Sequence, residues 1–114
     1  MSILDWGGGI GSHQLFARAL LPDVELEYHC KELPAVVAAG RQAMPDVTFY
    51  EDDSCLDRQY DLVMASGSLQ YERDWQLLLE RLGRASRHLV FIARLPVTSA
   101  AATYAVRQRP TRYG

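Results

Sequence analysis

In ILDWGGGIGSH, residues 3–13, a short apolar run is followed by four glycines within five positions, and this segment is the main indication of how the chain folds. Glycine is costly inside a helix or strand, so a cluster of this density indicates a demanding turn or a closely approaching ligand. Ile3–Trp6 is predicted as a strand, and Ser12 is predicted to cap a helix that runs through Leu21. The glycines therefore lie in the loop between the first strand and the first helix.

The composition is that of one globular domain: the chain has 114 residues, of which 48% are hydrophobic and 23% are charged. A formal net charge of -2 provides no basic surface, so neither nucleic acid nor a membrane is expected as a partner. No apolar run reaches the roughly 20 residues of a membrane span, and no signal peptide is predicted. Cys30 and Cys55 lie in no metal-binding or redox spacing. We therefore expect reduced thiols, no metal site and a cytoplasmic protein.

Strand-like and helix-like segments alternate along the chain, which predicts an α/β fold with a parallel sheet and helices on both faces. After the first helix the predicted strands are VELEYHC (24–30), VTFY (47–50), YDLVMA (60–65) and HLVFIARL (88–95), and the predicted helices are PAVVAAGRQAM (34–44) and DWQLLLERLGRA (74–85). Only SCLDRQ, residues 54–59, separates the third strand from the fourth. The crossover helix at that point is therefore predicted to be reduced or absent.

Two of the predicted helices carry an apolar stripe at helical spacing. In the first helix the residues that share one face are Leu15, Phe16, Ala19 and Leu20; in the last they are Trp75, Leu78, Leu79 and Leu82. Trp75 is expected to lie in the core.

The position of the glycine loop predicts a ligand site, because ligands of parallel sheets bind beyond the carboxyl ends of the strands, beside strand one. The spacing does not match the dinucleotide fingerprint, since its third glycine would fall on Ser12. A nicotinamide-dependent oxidoreductase is therefore the least favoured function. The spacing that does fit is acidic-x-G-x-G-x-G, with Asp5, Gly7, Gly9 and Gly11.

With this loop, LDWGGGIG, the chain resembles the class I S-adenosylmethionine-dependent methyltransferases, and Asp5 and the three glycines match their first motif. In EYHCKELP, Glu32 lies 21 positions after Gly11. The resemblance implies that Glu32 accepts hydrogen bonds from the ribose hydroxyls of S-adenosylmethionine and that Leu33 also belongs to the cofactor site.

Two later segments extend the resemblance. In FYEDDS, residues 49–54, one of Asp52 and Asp53 is expected to meet the adenine amino group while the other caps a turn, and Asp53 is favoured for adenine. YDLVMASGSLQY, residues 60–71, resembles the family's fourth strand and the loop beside the cofactor, which makes Ser66 a cofactor-binding residue. Together the motifs cover about residues 3–95 and also resemble a bacterial group of methyltransferase-like proteins of unassigned substrate.

The resemblance implies a Rossmann-like sheet of order 3-2-1-4-5 and the transfer of a methyl group to a small-molecule acceptor. Residues 1–95 would form the S-adenosylmethionine-binding domain, and residues 96–114 a tail that forms an edge strand or a helix. The family's usual helices before strand one and its C-terminal strands are lacking, so the domain is expected to be truncated. The alternative function is a catalytically silent cofactor-binding or interaction module.

No catalytic base is assigned, because the sulfonium group of the cofactor already activates the methyl group. His13, Gln70 and Tyr71 are candidates for facing the methyl-transfer centre, with surface packing as their alternative. His29 and His88 are expected to be structural. Trp6 is expected to support the glycine loop or to contact the cofactor.

Strand five is predicted to lie at an edge of the sheet, where a long apolar strand can pair with another chain. The segment TYAVRQR, residues 103–109, could pair there as a strand, although the alanines of SAAATYAVRQ, residues 99–108, also favour a helix. A homodimer through this edge is favoured over a monomer.

Overall fold

The computed structural model describes residues 1–100 and residue 102, and five strands and three α-helices alternate within them. The strands are β1 (Ser2–Trp6), β2 (Glu27–Lys31), β3 (Val47–Tyr50), β4 (Tyr60–Ser66) and β5 (Ser86–Ala93), and the helices are α1 (His13–Leu20), α2 (Pro34–Ala43) and α3 (Trp75–Ala85). Two short 3-10 helices, Asp53–Asp57 and Leu69–Tyr71, complete the elements of the described part. The first of these 3-10 helices lies between β3 and β4, where the crossover helix was predicted to be reduced or absent.

All strand pairs are parallel, and the sheet has the order β3-β2-β1-β4-β5. This confirms the predicted order. In the register, Asp5 of β1 lies opposite Cys30 of β2 and Met64 of β4. The chain first adds strands on one side of β1 and then on the other, so the order reverses at β1. The carboxyl ends of β1, β2 and β4 therefore meet around the glycine loop.

Each face of the sheet carries its own hydrophobic cluster, which confirms helices on both faces. The cluster on the side of α2 contains Ile3, Tyr28, Cys30, Val37, Val47 and Phe49. The cluster on the side of α3 contains Leu4, Trp6, Cys55, Tyr60, Val63, Ala65, Leu69, Leu78, Leu82 and Ala85. All five residues of β1 are buried because both of its faces are covered.

The apolar stripe predicted on the first helix is not a core face. Its residues are exposed, with Leu15 at 58%, Phe16 at 66% and Leu20 at 79%. The side of α1 that meets the sheet instead carries the buried Gln14 and the packed Ala17. The spacing places these residues on one face of the helix, but hydrophobicity alone does not say which flank of a short helix the sheet covers.

Two local predictions fail. Trp75 is 46% exposed and lies outside the core, because the buried side of α3 is formed by Leu78, Leu82 and Ala85. Ser12 occupies the residue before α1, but its side chain makes no capping hydrogen bond, since its backbone is already helical (φ -64°, ψ -20°).

The described residues end in a segment without regular structure: residues 94–100 and 102 are in neither helix nor strand. The strand predicted for residues 103–109 lies outside the described residues, as does most of the helical alternative. No helix in the described part of the chain is long and apolar enough to cross a membrane.

Candidate functional site

The glycine loop is folded tightly against the carboxyl ends of its neighbouring strands. The N–H of Gly7 donates to the carbonyl of Lys31 at 2.9 Å. Gly7 has φ +71°, and a β-carbon there would lie 2.3 Å from Cβ of Ser68. The Ser68 hydroxyl in turn donates to the carbonyl of Trp6 at 2.7 Å. The loop after β4 therefore packs directly on the glycine loop, a role for Ser68 that the sequence analysis missed, although Ser68 lies in the segment YDLVMASGSLQY.

Asp5 lies beneath this loop and is completely buried. A β-carbon on Gly8 would lie 2.4 Å from Asp5 Oδ2 and 2.9 Å from Cys30 Sγ. Oδ2 accepts a hydrogen bond from the Tyr28 hydroxyl at 2.9 Å and lies 2.9 Å from His13 Nδ1. Oδ1 has no hydrogen-bond partner among the described residues. Burial raises the pKa of Asp5, and the hydrogen bonds from His13 and Tyr28 oppose that rise.

Glu32 connects the end of β2 to the glycine loop. Its Oε1 accepts from the N–H of Gly9 at 3.3 Å, and its Oε2 accepts from the N–H of Leu33 at 2.7 Å. Each carboxylate oxygen can accept a second hydrogen bond, so Glu32 retains capacity for two further donors. A β-carbon on Gly9 would meet no described atom within 4 Å. The loop therefore leaves open space beside this carboxylate.

The two aspartates after β3 have different surroundings. Asp52 Oδ1 accepts from the N–H of Ser54 at 3.0 Å and from its hydroxyl at 2.5 Å, and these bonds lower the pKa of Asp52. Asp52 is thus the residue that caps the turn. Asp53 pairs with Arg81 NH1 at 2.5 Å. Asp53 borders a cleft of about 220 Å³ whose other lining residues are Trp6, Lys31, Glu72, Asp74, Leu77, Leu78 and Arg81.

The remaining candidates at this edge differ in exposure. Ser66 ends β4 and is half-buried. Tyr71 is 69% exposed, and Gln70 donates from Nε2 to the carbonyl of Gly67 at 2.8 Å. Trp6 is only 3% exposed, and the ammonium group of Lys31 lies 4.4 Å from its ring centroid. Trp6 therefore packs beneath the loop as part of the core.

The other two histidines lie away from the glycine loop. His29 is buried, and its ring nitrogens lie 3.2 Å from the Tyr50 hydroxyl and 3.0 Å from Glu27 Oε1. Burial lowers the pKa of His29. His88 has a side chain that is 74% exposed. Within the described residues no group of three histidine, cysteine or acidic side chains is placed to hold a metal ion.

A larger pocket of about 490 Å³ lies at the opposite edge of the sheet. Its lining residues are Met1, Glu25, Leu26, Glu27, Tyr28, Asp46 and Thr48. These residues surround the amino ends of β2 and β3, whereas ligands of parallel sheets bind beyond the carboxyl ends. The glycine loop, at the carboxyl ends, is therefore the better candidate site.

No family profile matches the sequence, and no curated protein matches it significantly. Solved structures do match. The plantazolicin methyltransferase BpumL, solved with a desmethylPZN analog and SAH, superposes with a TM-score of 0.68 at 18% identity, covering 81% of this chain and 38% of BpumL. LepI in complex with SAM gives a TM-score of 0.63 at 19% identity, covering 88% of this chain and 28% of LepI. Human N-acetylserotonin methyltransferase in complex with SAM gives a TM-score of 0.57 at 25% identity, covering 75% of this chain and 26% of that enzyme.

These matches show the fold. The chain has the Rossmann-like fold of class I S-adenosylmethionine-dependent methyltransferases, as the sequence resemblance predicted. It spans 38% or less of the length of the three proteins named above, and is therefore shorter than a full methyltransferase domain.

Proposed function

We propose that this chain is the S-adenosylmethionine-binding part of a class I methyltransferase that acts on a small molecule. The observation that supports this proposal is the placement of Glu32, whose carboxylate is joined to the open glycine loop at the point where the strand order reverses. Two ribose hydroxyls require an acceptor with two oxygens at a strand end. Glu32 provides this acceptor without losing its bonds to the backbone.

The other residues fit the remaining parts of the cofactor. Gly7, Gly9 and Gly11 let the backbone pass close to the amino-acid end, and the start of α1 adds the positive end of a helix dipole for its carboxylate. Asp5 supports this loop from below. Leu33, which is 66% exposed, and Asp53 would lie beside adenine, with Ser66 on the side of β4.

The reaction requires little chemistry from the protein, which supplies binding, orientation and exclusion of water. BpumL and N-acetylserotonin methyltransferase are named for methyl transfer to such molecules, and the net charge of -2 offers no basic surface for nucleic acid. A small-molecule acceptor is therefore proposed. The buried, unpaired thiols of Cys30 and Cys55 favour a reducing compartment, the cytoplasm.

Titration calorimetry with S-adenosylhomocysteine tests the cofactor assignment. We expect saturable binding of one ligand per chain with a dissociation constant below about 1 mM, or at least about 4 kcal/mol of binding free energy. A folded protein that releases no heat at millimolar ligand would contradict the proposal. A parallel titration with reduced nicotinamide cofactor should give no binding, and binding there would instead favour the oxidoreductase alternative.

We also propose that two copies pair through β5. This strand is the last in the sheet order, so one of its edges has no strand partner among the described residues. Its exposed side chains include Leu89 at 57% and Phe91 at 49%. β5 has eight residues, of which residues 89–93 form a continuous apolar run, and such an edge strand is a template for pairing with another chain.

Light scattering on the eluted protein checks this assembly. We expect the mass of a dimer for the unchanged chain and the mass of a monomer for Phe91→Lys, because the lysine would place a charge at the proposed contact. Leu77→Lys serves as the control, since Leu77 is 57% exposed on α3. A monomer mass for the unchanged chain, with the β5 amides that do not bond to β4 exchanging as fast as amides in unprotected loops, would contradict the dimer.

A further inference from the structure

Asp5 and His13 form a carboxylate–imidazole pair under the glycine loop. His13 is the first residue of α1, and its Nδ1 lies 2.9 Å from Asp5 Oδ2. The Asp5 side chain is completely buried, whereas that of His13 is 36% exposed. Nε2 of His13, on the opposite edge of the ring, has no hydrogen-bond partner within residues 1–100 and 102. The ring is therefore held at Nδ1, while Nε2 is available to another molecule.

Tyr28 determines how the buried carboxylate can act. Its hydroxyl is 2.9 Å from the same Oδ2. Burial raises the pKa of Tyr28 above its usual range, so the phenol stays protonated and donates a hydrogen bond to Oδ2. An ionised carboxylate only accepts hydrogen bonds. With Asp5 ionised, Nδ1 of His13 must carry the proton of the neutral ring, and Nε2 presents a lone pair.

This lone pair is located at the edge of the sheet that carries the proposed cofactor site. His13 follows Gly11 by two residues, at the carboxyl end of β1. On the other side of the loop, Gly9 is bonded to Glu32 and borders open space. Because Nδ1 contacts the buried Asp5 and the His13 side chain is 36% exposed, we assign the exposed part of the ring to its Nε2 side.

We infer that His13 is the general base of the methyl transfer and that Asp5 is the residue that positions it. The acceptor is then a molecule whose nucleophilic oxygen carries a proton at neutral pH, such as a phenol or an alcohol. This inference rests on the proposed function, because it requires the methyl donor to bind beside the glycine loop.

The proton and the electron pairs balance in this step. Nε2 of His13 takes the hydroxyl proton, and the electron pair of the O–H bond stays on the oxygen. That oxygen bonds to the methyl carbon as the carbon–sulfur bond breaks, and the electron pair of the broken bond stays on the sulfur of S-adenosylhomocysteine. The imidazolium then releases its proton to water. A positioned base of this kind contributes typically about 10²- to 10⁴-fold to the rate.

The tautomer of His13 tests the inference without any acceptor. Long-range proton–nitrogen spectra of the nitrogen-labelled full chain report which nitrogen of each of its three histidines is protonated. His13→Gln and His88→Gln assign the signals. We expect neutral His13 to carry its proton on Nδ1. A proton on Nε2 would mean that Asp5 is protonated and donates to the ring, and would overturn the inference.

Asp5→Leu is the decisive variant, because leucine has nearly the shape of aspartate but no acceptor for the Nδ1 proton, and an imidazole without such a partner prefers its proton on Nε2. We expect the His13 proton to move to Nε2 in this variant while the signals of His88 stay unchanged. An unchanged His13 tautomer would overturn the positioning role of Asp5. If Asp5→Leu does not fold, Tyr28→Phe replaces it: removal of the second donor should shift the signals of His13 and not those of His88, and unmoved His13 signals count against the inference.

Addition of S-adenosylhomocysteine separates this inference from the proposed function. We expect the Nε2 signal of His13 to shift on saturation while that of His88 does not. Binding by calorimetry without a shift of His13 would overturn the role of His13 and leave cofactor binding intact. Absence of binding would overturn the proposed function and this inference with it.

Discussion

Replacing Glu32 by glutamine is expected to weaken the binding of S-adenosylhomocysteine about 30- to 150-fold in dissociation constant, or by about 2 to 3 kcal/mol. In the proposed complex each carboxylate oxygen accepts from one ribose hydroxyl. Glutamine keeps one oxygen and turns an amide group, which cannot accept, towards the second hydroxyl. The loss therefore combines a charge-assisted hydrogen bond with an unpaired polar group. Calorimetric titration of both proteins measures the difference.

Glu51→Gln is the matched control for this measurement. Glu51 lies one residue after β3, has a side chain that is 44% exposed, and accepts from Arg41 at 2.9 Å. An exposed ion pair contributes little to stability, so we expect the affinity to change less than about 2-fold. Equal losses of affinity for S-adenosylhomocysteine in Glu32→Gln and Glu51→Gln would show a general effect of removing a negative charge. Unchanged affinity in Glu32→Gln would remove Glu32 from the ribose site.

Replacing Gly8 by alanine is expected to destabilise the protein by about 2 kcal/mol, the size typical of overpacking in a core. The new methyl group would lie 2.4 Å from Asp5 Oδ2 and 2.9 Å from Cys30 Sγ. Neither side chain can move aside easily, since both are completely buried. Urea unfolding followed by circular dichroism measures the loss, which corresponds to a Tm lower by about 10 °C.

Gly83→Ala separates this steric effect from the general effect of replacing glycine. Gly83 lies inside α3, and a β-carbon there would meet no described atom within 4 Å. Alanine in a helix interior is favoured over glycine by about 0.5–1 kcal/mol, so this variant should be more stable than the unchanged chain. If Gly8→Ala is as stable as Gly83→Ala, the loop is looser than the structure shows.

The fold and the glycine loop were predictable because each depends on local chemistry. Short apolar segments, one of them with alternating periodicity, located the strands, and VTFY was assigned with the bounds that β3 has, Val47–Tyr50. The acidic-x-G-x-G-x-G spacing identified the loop, and the position of Glu32 after β2 follows from the same motif order. The cofactor roles of these residues stay predictions.

The features that could not be predicted depend on how the helices pack on the sheet and on which side chains come into contact. The exposure of Phe16 and of Trp75 is set by the placement of short helices on the sheet, and a hydrophobic stripe does not specify this placement. Sequence also could not decide which of Asp52 and Asp53 caps the turn, although Asp53 was favoured for adenine. Only the hydrogen bonds from Ser54 and the pairing of Asp53 with Arg81 separate them.

The glycine loop is held by residues that are distant in the sequence. Glu32 bonds to Gly9 across 23 positions, and Ser68 bonds to Trp6 across 62 positions. Contacts between distant residues form slowly, because a long segment must be ordered before they are made. During synthesis, the glycine loop therefore cannot reach its final shape before β4 and Ser68 have emerged from the ribosome. Only then can β4 dock beside β1 and Ser68 bond to Trp6. The proposed binding of the cofactor should consequently appear late in folding, together with the docking of β4 beside β1.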